Sequence, residues 1–173
     1  MSCWWNRKRS LKLAVGSDER TLLADFVGGH LRKEGHQLEL VGPLKGDRLG
    51  GLMWVKRLLS RLAPEEGTGS SFLLDRDRCQ HSCEQSPRLR AALCHDAETA
   101  EGARLWDDAN VLAMSLRSMS QAVAREILTA WFSTEPAKTG IDAELIERAK
   151  RLAPKYCKSL PDVLRRLGSS SSN

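Results

Sequence analysis

The chain has 173 residues, 41% of them hydrophobic and 28% charged, with a formal net charge of +5. That balance suits one globular domain with a core of its own and excludes a disordered or disulfide-stapled chain. No apolar run approaches the roughly 18 residues of a membrane span, and the start MSCWWNRKRS has basic residues but no apolar signal core.

A soluble, cytoplasmic protein with no membrane contact is therefore expected. Five cysteines, odd in number and irregularly spaced, predict reduced thiols rather than a disulfide framework. The positive charge suits an anionic ligand. Acidic residues are interspersed throughout except near Arg7, Lys8, Arg9 and Lys12, and no nucleic-acid-binding motif is present, so no nucleic acid partner is expected.

Residues 1–10 read as an N-terminal extension. LKLAVG at 11–16 predicts a first strand, after which Ser17 or Asp18 can cap a helix beginning near Glu19. That helix sets Leu22, Leu23, Phe26, Val27 and Leu31 on one face, and Gly35 stops it. Gly28 and Gly29 lie inside it and cost about 1 kcal/mol each against alanine, either to let the helix pack closely on a sheet or as plain weak points. QLELV at 37–41 predicts a second strand, and 49–62 a second helix with Leu52, Val55, Leu58, Leu59 and Leu62 inward. Residues 64–70 form a turn-rich connection.

A third strand is predicted at 71–74, followed by a polar loop over 75–85, and a fourth strand at 89–94. Asp96 can cap the next helix. The fifth strand is expected at 110–114, and Ser120 caps a helix that places Val123, Ile127, Leu128 and Trp131 toward the core. An amphipathic helix follows at 141–153, with a short helix at 161–167 and a low-complexity tail at 169–173. Strands alternating with helices over short connections predict an α/β fold: a Rossmann-like, doubly wound, five-stranded parallel sheet with C-terminal helices. Its domain would span 11–153, leaving 154–173 as a short helix and a disordered tail.

Polar groups at the carboxyl ends of parallel strands line a ligand crevice. Asp18, Asp75 and Asp107 are expected around one such crevice. Cys79 has Arg76, Arg78 and His81 nearby in sequence, which can lower a thiol pKa. The run Cys79-Gln80-His81-Ser82-Cys83 contains zinc-type ligands, but its spacing is not that of a paired CxxC site, and no metal or other cofactor is expected.

Specific motifs carry a family resemblance. RAALCHD at 90–96 and DANVLA at 108–113 resemble segments of the RpiB/LacA/LacB sugar-phosphate isomerases, which read roughly IRAALCHD and AREHNDANVLA there. LKLAVGSD resembles their opening strand and GSDHAG signature, EGHQLELVG their xxGHEVxDxG, and AREILTAWFSTE their LALEIVDAWLxTE. The resemblance covers roughly residues 11–150. It implies a homodimer acting on a phosphorylated sugar of the ribose 5-phosphate type.

The resemblance also implies altered chemistry. Aldose–ketose isomerisation moves a proton between neighbouring carbons, so it needs a positioned base, donors to the enediolate oxygen, a ring-opening group and cations for phosphate. The family's CGTGxG loop aligns with Asp75-Arg76-Asp77-Arg78-Cys79-Gln80, which has no glycine to let an oxyanion approach the backbone. The GSDHAG histidine position holds Glu19, Trp106 and Asp107 stand for a His-Asn pair, and the GGRHxxR segment aligns with 138–144, which has no arginine. Asp18, Arg104, Asp108, Asn110 and Arg117 are retained.

Candidate catalytic residues are thus Asp18, Asp75, Cys79, Glu84 and Asp107. Glu84 resembles the glutamate base that some family members carry in GEQ, or is a solvated loop residue. Candidate substrate-binding residues are Glu19, His95, Arg104 and Asn110. Asp18 reads equally as a helix cap, Asn110 as a turn terminator and His95 as a strand-end polar group. Two functions follow: a divergent isomerase working on a changed substrate, or a non-catalytic paralogue or structural subunit paired with an active partner.

Overall fold

The computed structural model describes residues 10–17, 19–46, 71–73 and 89–156, with 71–73, 155 and 156 in backbone only. The elements run β1 (Lys12–Gly16), α1 (Leu22–Lys33), β2 (Gln37–Val41), a 3-10 turn (Gly42–Lys45), β3 (Ser71–Leu73), β4 (Ala91–Leu93), α2 (Ala97–Asp107), β5 (Val111–Ala113), α3 (Gln121–Ser133) and α4 (Gly140–Tyr156). All strand pairs are parallel, in the order β2-β1-β3-β5-β4. The chain leaves β1 for β2 on one side and then returns to β3 on the other. This reversal opens a crevice above the carboxyl ends of β1 and β3.

Alternation along the strands explains the layers. Leu13 and Val15 on β1, with Leu112 and Met114 on and just past β5, point to the face covered by α1, α2 and α3. Leu23, Val27 and Leu31 from α1, Ala100 and Ala103 from α2, and Ile127, Leu128 and Trp131 from α3 complete this core. Ala14, Val111 and Ala113 point the other way and are buried too, so the central strands are covered on both faces. The second helix expected at 49–62, the 64–70 connection, the 161–167 helix, the N-terminal extension and the serine tail lie outside the described residues.

Helix α1 starts later than the sequence suggested. Thr21 is its N-cap, accepting from the Ala24 N–H at 3.2 Å. Ser17 is occupied in its own loop, where its hydroxyl donates to the Glu19 carbonyl at 2.6 Å and accepts from the Glu19 N–H at 3.3 Å. Leu22, expected on the inner face, is 83% exposed, because at 100° per residue it falls outside the arc shared by Leu23, Val27 and Leu31. The close-packing explanation for the helical glycines is not supported. A Cβ at Gly29 would meet nothing within 4 Å, and one at Gly28 only Arg32 at 3.6 Å.

The other caps agree with the sequence. Asp96 accepts from the Thr99 N–H at 2.7 Å and Ser120 from the Val123 N–H at 3.2 Å, while Gly35 has φ +89 just past the end of α1. On α3 it is Ala124, fully buried, that joins Ile127, Leu128 and Trp131, with Val123 only partly covered. Helix α4 extends to Tyr156, through Pro154 near its end.

Candidate functional site

Two polar clusters sit at opposite edges of the sheet. At the carboxyl edge, Ser17 and Ser115 follow β1 and β5 and are both buried. Glu19 leaves the β1 loop and faces Arg117 of the β5 loop, Oε1 to Nη2 3.8 Å. Because β3 lies between β1 and β5, this pair reaches across the crevice. Arg20 is turned aside to Asp25, Nε to Oδ1 3.1 Å.

Cys94, His95 and Asp96 end β4 at the same edge. Cys94 is fully buried, and burial, with the Asp96 charge adding to it, pushes its thiol up to about 12. A thiol so held is protonated and unreactive at neutral pH. The Asp96 carboxyl is held below its ordinary range, first by the Thr99 backbone N–H, with the Thr99 side chain and His95 adding to it. His95 itself is exposed.

The second cluster lies at the amino edge, since α2 carries the chain from the carboxyl end of β4 back to the start of β5. The Asn110 side chain accepts from the Arg90 N–H at 2.8 Å, and the Asn110 N–H donates to the Arg90 carbonyl at 3.0 Å. Arg90 donates through Nε to the Asp108 carbonyl and through Nη2 to its carboxylate, both at 2.8 Å. Lys150 of α4 approaches the same carboxylate at 3.1 Å and Glu147 at 2.9 Å. Hydrogen bonds to Glu147 and Asp108 raise the Lys150 pKa.

Arg104 donates to the Ala109 carbonyl and lies over the Trp131 ring, 5.3 Å from its centroid. Burial lowers its pKa, and Asp108 opposes that shift. Its Nε is buried with no hydrogen-bond partner among the described residues. Trp106 is 59% exposed. Its ring lies against Gly102, where a Cβ would meet Cζ3 at 2.7 Å.

The structure therefore divides the expected site residues. Glu19 and His95 lie at the carboxyl edge. Asp107, exposed at the end of α2, lies with Arg104 and Asn110 at the amino edge. Of the three residues expected around one crevice, Asp107 lies within the chain at the opposite end of the strands from Glu19 and His95, and Asp18 and Asp75 lie outside the described residues. The five residue steps from Asn110 to Ser115 span about 16 Å of extended chain, further than one small sugar reaches. Asp18, Asp75, Cys79 and Glu84 lie outside the described residues, as does the Cys79 to Cys83 run. Among the described residues no group of three or more His, Cys, Asp or Glu could hold a metal ion. Sequence reasoning missed Ser17 as a loop anchor and Lys150 as a partner of Asp108, since both roles depend on contacts rather than on motif.

Residues 79–148 match the model of the Ribose/Galactose Isomerase family. The Bacillus subtilis protein YwlF is 43% identical over 47 residues, and D-erythrulose-4-phosphate isomerase of Pectobacterium atrosepticum 40% over 47 residues. Each alignment covers 27% of this chain and about a third of the relative, 32% and 31% respectively. Among solved structures, ribose 5-phosphate isomerase RpiB of Thermotoga maritima superposes with a TM-score of 0.68 at 23% identity, covering 83% of this chain and 99% of that one. The Trypanosoma brucei type B enzyme gives 0.69 at 24% identity, with the same coverage. The chain thus has the fold of the type B ribose 5-phosphate isomerases and, over residues 79–148, matches the sequence pattern of the ribose/galactose isomerase family.

Proposed function

We propose that this protein is a divergent sugar-phosphate isomerase-like protein of the cytoplasm. It takes a phosphorylated sugar or related small anion at the carboxyl-edge crevice, with aldose–ketose isomerisation lost or altered. In this reading Asp18, Asp75, Cys79 and Glu84 supply the candidate acid/base groups, and Glu19 and His95 line the entrance. The protein acts as a homodimer, without nucleic acid, metal or other cofactor. No described helix is long and apolar enough to cross a membrane.

The observation that carries the altered chemistry is Glu19 facing Arg117 at 3.8 Å. An acid at that position places negative charge beside a cation that would otherwise be offered to an anionic substrate. Where the GSDHAG motif provides a histidine able to give and take a proton near neutrality, a carboxylate there only accepts. The remaining replacements remove a positioned acid/base group, a glycine cradle for an oxyanion or a phosphate cation, and acid/base losses alone are typically worth about 100- to 10,000-fold in rate.

Turnover of ribose 5-phosphate by the purified protein tests this, alongside a thermal-shift titration with the same compound. The expected result is a rise in melting temperature with ligand and turnover far below the roughly 10 per second of an ordinary enzyme. Ordinary turnover abolished by Asp18→Asn, Glu84→Gln or Cys79→Ser would overturn the loss of chemistry and name the base. Absence of any shift removes the ligand reading. The same replacements also favour a second reading, a structural subunit of a hetero-oligomeric isomerase, for which activity would appear only with a co-purified paralogue.

A further inference from the structure

Glu19 and Arg117 face each other across the carboxyl-edge crevice, yet neither satisfies the other. Their closest approach, Oε1 to Nη2, is 3.8 Å, beyond the roughly 2.7–3.2 Å of a hydrogen bond. Both side chains are open to solvent, Glu19 59% and Arg117 88% exposed. Glu19 is nevertheless fixed at its backbone, because the buried Ser17 hydroxyl donates to its carbonyl at 2.6 Å and accepts from its N–H at 3.3 Å. Arg20, the next residue, donates to both carboxylate oxygens of Asp25, at 3.1 and 3.3 Å, and so does not neutralise Glu19. Among the described residues Arg117 is the one cation paired with this carboxylate.

We propose that the two groups form a receptor for a ligand that carries both charges, a phosphorylated amino sugar, with Arg117 taking the phosphate and Glu19 the ammonium group. This names the substrate class of the crevice, and it rests on the reading of that crevice as a sugar-phosphate site. An exposed ion pair at this separation contributes little by itself, so a ligand parts it at small cost. Each group then exchanges a weak partner within the chain for charge-assisted hydrogen bonds to the ligand.

Charge works against the simpler ligands. A sugar phosphate without an amine draws Arg117 to itself and leaves Glu19 unpaired beside a dianion, an arrangement of like charges that costs binding. An amino sugar without phosphate takes Glu19 and leaves Arg117 unmatched. Helices α1 and α3 begin at this same edge, directly after the loops that carry Glu19 and Arg117, and their N-terminal ends add a field that favours the phosphate. Glu19 is then the group that reads the amine. A carboxylate only accepts hydrogen bonds and an ammonium group only donates them, so the two match in hydrogen bonding as well as in charge.

Isothermal titration calorimetry of the full chain at neutral pH tests the assignment, using glucosamine 6-phosphate and glucose 6-phosphate, which differ only in an amine replacing one hydroxyl. Circular dichroism confirms that each variant is folded. The expected result is binding of the amino sugar about five-fold tighter, the size of one solvent-accessible ion pair. That preference disappears in Glu19→Gln, which binds glucose 6-phosphate more tightly than the wild type does, whereas Arg117→Ala weakens both compounds. Equal affinities in the wild type overturn the proposal and leave the sugar-phosphate reading standing. A preference that survives Glu19→Gln, or binding unchanged in Arg117→Ala, overturns it as well. Binding of neither compound removes this proposal and the sugar-phosphate reading together.

Discussion

Arg90 holds Asp108 twice, through its backbone carbonyl and its carboxylate, each at 2.8 Å. Asp108 is the left-handed residue that ends α2, with φ 47, an unusual conformation for a residue with a side chain. The grip turns the chain from α2 into β5, and Lys150 fastens α4 to the same carboxylate. Both partners are mostly covered, with side chains 28% and 18% exposed. Removing Arg90 takes the side-chain donor from the Asp108 carbonyl and leaves its carboxylate to Lys150, so Arg90→Ala is expected to cost about 1–3 kcal/mol. For a domain of this size that lowers the melting temperature by several degrees, at about 2–4 °C per kcal/mol. A thermal melt unchanged within error would show that the contact contributes nothing.

Trp131 is 1% exposed and joins α3 to the core shared by α1, α2 and the sheet, beneath Arg104. Trp131→Ala is expected to cost about 3–5 kcal/mol, a large share of the stability of any domain. Trp131→Phe should cost less, because most of the buried surface is kept. Urea unfolding midpoints of the two variants check that ordering.

Cys94 gives an alkaline signature. The folded protein keeps its thiol protonated to about 12, whereas an ordinary thiol ionises at 9.0. Between those values the unfolded chain has lost the proton and the folded one has not, so this contribution to stability is complete below about 9 and falls as pH rises toward about 12. Cys94→Ala should flatten that decline. In the native protein at mildly alkaline pH, Cys94 should resist iodoacetamide, as read by peptide mass spectrometry, and react once urea is added. Rapid native labelling would contradict its burial.

Asp96 acts at the opposite end of the pH scale. Its carboxyl is depressed below 3.8, chiefly by the Thr99 backbone N–H it caps. The stability it contributes is therefore present above the ordinary carboxylate value and is lost as pH falls through the depressed one. Asp96→Asn keeps a capping oxygen but cannot titrate. Compared with the wild type, its acid unfolding curve should lack this contribution, while Asp96→Ala should melt lower at neutral pH. Superimposable acid curves for wild type and Asp96→Asn would remove Asp96 from the account.

Much of the fold was written in local sequence. Five apolar runs, the capping residues Asp96 and Ser120 and the stop at Gly35 depend on neighbours a few residues away, and each formed as read. Strands β4 and β5 came out one or two residues shorter at each end than their apolar runs, because the ladder pairs only Ala91–Leu93 with Val111–Ala113. The start of α1 was misread for a related reason. Ser17, Asp18 and Thr21 are all competent caps by type, and the choice fell to Thr21 once the Ser17 hydroxyl was engaged by Glu19.

The site was less legible. Residue type marked Glu19, His95, Arg104, Asp107 and Asn110 as a polar set, but position along a sequence does not reveal which edge of a sheet a residue occupies. The return of α2 to the amino end of β5 put Arg104, Asp107 and Asn110 about one strand length from Glu19 and His95. Periodicity and capping are short-range properties that the chain fixes by itself. Which charges meet, Glu19 with Arg117 and Arg90 with Asp108 and Lys150, depended on strand order and crossover direction, because those alone bring together groups that are far apart in the chain.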